Sequence, residues 1–129
     1  MWRELAVPRR LVEAESRVAG ALAAATGDAD LISQAGRAQV VAECRCGCES
    51  MRLRADGPAM DPEAVRSLSG SGREDHLSVS ARWRGVAGEF VTVTLHVVAG
   101  RVEELEVFAG EGVTVPLPPS AVLRDVTVS

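Results

Sequence analysis

The stretch FVTVTLHVVAGRVEELEVF, Phe90–Phe108, carries the clearest period in the chain. Val91, Val93, Leu95 and Val97 alternate with Phe90, Thr92, Thr94, His96 and Val98, the two-residue period of a strand with one face in a core. Leu105 and Val107 resume the pattern beyond Ala99-Gly100, which reads as a hairpin. A two-residue loop would set Leu95 against Glu104 and break the apolar face. A three-residue loop, Ala99 to Arg101 with Gly100 at positive φ, instead sets Leu95 against Leu105 and Val93 against Val107, and this is the expected register. On the other face it opposes Val98 to Val102, His96 to Glu104, Thr94 to Glu106 and Thr92 to Phe108. It leaves Glu103 pointing inward beside Val97.

Working outward, Leu77, Val79, Ala81 and Trp83 alternate with Ser78, Ser80, Arg82 and Arg84, a third strand of the same kind. Val40, Ala42 and Cys44 form the inner face of an earlier strand, and Met51, Leu53 and Ala55 that of its hairpin partner, with the turn near Gly47 to Glu49. Residues 56–75 hold two prolines and three glycines and read as a flexible loop with one helical turn over Pro62 to Leu68. Before the strands the period is 3.6. Leu11, Val18, Leu22 and Ala25 line one face of an amphipathic helix spanning about Pro8 to Ala25, with Pro8 in its first turn. Gly27 ends that helix, and Asp28 caps a short second one, Asp30 to Ala35, stopped by Gly36. Residues 109–129 form a proline-containing C-terminal arm, extended over Val113 to Pro119, with a helical turn at Ser120 and a final Val126-Thr127-Val128. The expected fold is α+β: the helices packed on a mostly antiparallel sheet of about five strands.

The chain has 129 residues, 47% hydrophobic and 25% charged, which suits one globular domain over residues 1–129. All fourteen basic residues are arginine, yet the net charge is −4, against general binding of nucleic acid. Aromatic residues make up only 3%, so the core must be aliphatic and platforms for base stacking are scarce. No apolar stretch approaches the ~18 residues of a membrane span. Arg9 and Arg10 precede the small-apolar run Ala19 to Ala25, but Glu13 and Glu15 interrupt any leader there, so a cytoplasmic protein is expected.

Cys44, Cys46 and Cys48 are the sharpest local feature. Thiolates bind Zn²⁺ or Cu(I), and Gly47 gives the backbone freedom to fold around one ion. A regular strand, however, places alternate side chains about 6.5 to 7 Å apart, too far to share an ion without a kink. Buried structural cysteines, with no metal and no cofactor, are therefore the first reading, and zinc the alternative. His96 with Glu104 and Glu106 is the best constellation for acid-base chemistry, since a carboxylate orients an imidazole and favours its protonated form. A solvated polar face explains the same residues, and no nucleophile accompanies them. Arg82 and Arg84, with Arg52, Arg54, Thr92 and Thr94, lie on the outer face, where salt bridges to acidic residues of neighbouring strands are the first reading of the arginines and an anion or acidic partner the alternative.

The segment VVAECRCGC, Val40 to Cys48, and the later LHVVAGRVEELEVF, Leu95 to Phe108, resemble a group of small bacterial proteins without an assigned function. These carry a C-x-C-G-C strand and a late G-R-x-x-E-L-E hairpin. The cysteine motif there continues with proline, where this chain has Glu49. The resemblance implies no activity and no site residue. A non-catalytic binding domain, for an unidentified protein partner or a second copy, is the expected function. A metal-binding protein or small enzyme using the cysteines, or His96 with Glu104 or Glu106, is the alternative.

Overall fold

The computed structural model describes all residues except Met1, Gly47 and Val86. The elements are β1 (Trp2–Arg10), α1 (Glu13–Ala24), α2 (Ala29–Arg37), β2 (Gln39–Cys44), β3 (Met51–Arg54), α3 (Pro62–Leu68), β4 (His76–Arg84), β5 (Phe90–Val98), β6 (Arg101–Phe108), a 3₁₀ turn (Ser120–Val122) and β7 (Arg124–Val128). The fold is α+β, and its sheet has seven strands among the described residues, in the order β1-β2-β3-β6-β5-β4-β7. Every neighbouring pair is antiparallel.

Two strands exceed the expected five. β1 takes in Pro8, Arg9 and Arg10, assigned above to the start of the first helix, together with the residues from Trp2 to Val7 before them. Pro8 is tolerated because β1 is an edge strand, where a missing N–H costs no ladder bond. The helix begins only at Glu13, because Glu15 closes its first turn by accepting the Val12 backbone N–H at 2.9 Å. The second added strand is the end of the C-terminal arm, which pairs with β4. The capping expected around Gly27 is present: its φ is +69°, and Asp28 accepts the Leu31 N–H at 3.0 Å. Residues 56–75 carry α3 over Pro62–Leu68, with Val65 buried within it and Met60 buried just before it.

The Leu95–Leu105 register is as expected, but the device that sets it is different. Val98 pairs with Arg101, so the loop has two residues, Ala99 at φ +51° and Gly100 at φ +77°. This is the positive-φ geometry that matches strand twist in a tight hairpin. A bulge then absorbs one residue: His96 faces Glu104 while Val97 faces Val102. Glu103 is the extra residue. It does not sit against the core but pairs with Arg52 at 2.8 Å, and Val102 is buried instead of facing outward.

The core lies between the helices and one sheet face. Its largest fully buried side chains are leucines and valines, joined by one polar residue, Gln34. Gly100 sits so close to Met60 that an added Cβ would come within 2.7 Å of the Met60 carbonyl. At the β1 edge, Arg9 donates twice to Glu15, at 2.9 and 3.1 Å, and once to Glu43 at 3.2 Å, while Arg3 also pairs with Glu43. No helix is long and apolar enough to cross a membrane, among the described residues.

Candidate metal centre

A second bulge decides where the cysteines lie. Along β2, Val40 faces Leu53 but Ala42 faces Arg52, so Val41 has no partner of its own on β3. The extra residue turns Ala42 and Cys44 to the face opposite Val40, the face carrying Arg52, Glu104 and His96. The inner-face placement expected from alternation is therefore wrong beyond Val40. The buried-cysteine reading falls with it: Cys44 and Cys48 are half-buried and Cys46 is exposed.

The strand ends at Cys44, and Arg45-Cys46 form a turn. That turn supplies the kink a shared ion requires. The three sulfurs lie within 4.8 Å of one another, with Cys44 Sγ and Cys46 Sγ 2.8 Å apart and the Cys48 N–H donating to Cys46 Sγ at 3.4 Å. The hydrogen bond from Cys44, helped by the Cys48 N–H, draws the Cys46 thiol down to about 7. The same bond, with burial, pushes Cys44 up to about 11.

The cluster opens on a cavity of about 340 Å³ walled by the three cysteines, Trp2, Glu104 and Glu106. Nothing in the sequence period announces this meeting, because β6 reaches β3 only through the order of the sheet. Ser50 fixes the junction: its hydroxyl accepts the Val107 N–H at 2.9 Å, while the Cys44 N–H donates to the Ser50 carbonyl at 3.3 Å.

His96, Glu104 and Glu106 come together on the outer face, as the register requires, with their ligand atoms within 4.8 Å of one another. His96 Nε2 is 2.9 Å from Glu106 Oε1, and the His76 ring lies 5.9 Å from the His96 ring. Burial raises the Glu104 carboxyl above its ordinary value. His96 opposes that shift, and the Glu106 charge adds to it.

The expected arginine face does not assemble. β6 and β5 separate Arg52 and Arg54 on β3 from Arg82 and Arg84 on β4, three strand spacings or about 14 Å. Arg84 lies over the Phe90 ring at 4.3 Å, Arg82 faces Thr92, and Thr94 is buried with its hydroxyl 2.9 Å from that of Ser80. No protein-family model, curated protein or solved structure matches the chain significantly.

Proposed function

We propose that the chain is a metal-binding protein whose ligand is a single thiophilic ion, Zn²⁺ or Cu(I), held by Cys44, Cys46 and Cys48. The observation that carries this reading is the spacing of the sulfurs. Tetrahedral coordination at a Zn–S length near 2.3 Å needs sulfurs about 3.8 Å apart. The pair at 2.8 Å and the outer limit of 4.8 Å bracket that value, which supports one ion shared by all three. Three thiolates complete a trigonal Cu(I) site, whereas Zn²⁺ takes a fourth ligand from the cavity side, where Glu104 and Glu106 stand. Three soft thiolates damp the Lewis acidity of the ion, which favours binding over catalysis. A protein-interaction role has exposed Phe90, Phe108 and Val113 in its favour, but it lacks a prearranged ligand set.

The test is to load the reduced, metal-free chain with Co²⁺, Zn²⁺ and Cu(I) in competition with chromophoric chelators. One equivalent should bind, with cobalt showing thiolate charge-transfer bands and tetrahedral visible absorption. The Cys44→Ser/Cys46→Ser/Cys48→Ser variant should lose all of it. Three freely titratable thiols in the presence of excess metal would overturn the reading.

A further inference from the structure

Eighteen carboxylates are available to fourteen arginines. Arg3, Arg9, Arg17, Arg52, Arg66 and Arg73 each pair with at least one of them. Arg10, Arg37 and Arg54 differ in how they are placed. Among the described residues none of their guanidinium groups takes part in an ion pair or hydrogen bond, a lack they share with Arg45 and Arg82, but only these three are gathered in one cavity, of about 540 Å³.

The sheet brings them together. Arg10 on β1 faces Gln39 on β2, which faces Arg54 on β3, so two arginines flank one amide in a single cross-strand row. Arg37 enters from the last turn of α2, two residues before Gln39. Its Nη1 occupies space that a side chain at residue 57 would need, 3.2 Å from where a Cβ on Gly57 would stand. Ser16 and Gln39 add neutral donors, and Asp56 is the one carboxylate among the lining residues. Three cations against one anion leave the cavity with two positive charges in excess, in a protein whose net charge is −4. Like charges gathered in a concavity repel one another until an anion enters.

We propose that this cavity binds a small phosphorylated molecule through its phosphate monoester dianion. The charge of that group matches the excess. Its oxygens suit the planar forks of arginine, which bind phosphate through paired N–H donors. The volume exceeds what a bare anion needs and falls in the range of small-molecule sites. The cavity is at the opposite end of β2 from Cys44, about 16 Å along the strand, and is independent of the metal centre.

The test is calorimetric titration of the full chain with glycerol 3-phosphate, inorganic phosphate and glycerol at fixed ionic strength. One saturable site for the ester is expected, weaker binding of inorganic phosphate and none of glycerol. Arg37→Gln and Arg54→Gln should each weaken the ester at least about tenfold, whereas Arg82→Gln, on β4, should leave it unchanged. Circular dichroism confirms that these exposed-site variants fold. Absence of saturation up to about 10 mM, or equal losses in all three variants, would overturn the proposal. Inorganic phosphate binding as tightly as the ester would overturn the phosphomonoester assignment in favour of the free ion.

Discussion

The side-chain amide of Gln34 donates to the carbonyl of Gly100 across 2.8 Å, joining residues 66 apart in the chain. The same nitrogen reaches the Pro58 carbonyl at 3.1 Å, and the amide oxygen accepts the Val102 N–H at 2.9 Å. Gly100 also accepts the Met60 N–H at 2.9 Å. One buried glutamine on α2 therefore ties the helix layer, the segment before α3 and the β5–β6 turn into one unit.

Gln34→Leu keeps the volume but leaves the Val102 N–H without its partner in a buried site. A loss of about 2 to 4 kcal/mol is expected. Urea unfolding monitored by circular dichroism measures it, and a change under about 0.5 kcal/mol would mean that the amide is not a tie.

The Glu15 carboxylate, 8% exposed, holds Arg9 with two bonds and closes the first turn of α1, whereas Glu13 pairs with Arg17 in solvent. Glu15→Ala should cost about 2 to 3 kcal/mol and Glu13→Ala less than about 0.5 kcal/mol. Thermal unfolding of the two variants side by side checks the contrast. Equal losses would remove the Arg9–Glu15 pair from the account of how β1 joins α1.

Burial raises the Glu104 carboxyl, so the folded chain holds that proton more tightly than the unfolded chain does. Above the raised folded value the group is ionised in both states and its burial cost is fully present. Glu104→Gln should therefore stabilise the metal-free protein at pH 7, by less than about 1 kcal/mol. The gain should shrink as the pH falls through the raised folded value and vanish below the ordinary value of 4.5. Stability curves from pH 3 to 8 for both forms test this. A gain independent of pH would point to repacking instead of charge.

Periodicity made β3, β4 and β5 readable, because each alternates without interruption and one face of each is buried. It was equally sufficient for the pairs His96–Glu104 and Thr94–Glu106. Both errors of register come from single extra residues, Val41 and Glu103, whose effect on facing depends on partner strands that local alternation does not see. β1 was hidden for another reason. Its charged residues and proline suit an edge strand and a helix start equally, and the capping role of Glu15 decides between them. The cysteine cavity was illegible because β6 reaches β3 only through the sheet order, and the arginine cavity because β1, which supplies Arg10, was not read as a strand.

The unpaired Val41 divides β2 into two stretches answerable to different constraints. Val40, before it, is held by the fit of the interior, where any change of volume is felt. Ala42 and Cys44, after it, lie outside the core cluster that holds Val40, Ala42 fully buried and Cys44 half-buried on the other face. A mutational scan along residues 39–46 should therefore find Val40 and Ala42 both intolerant of added volume, each through a different face of the sheet, and Cys44 more tolerant of it in the metal-free chain.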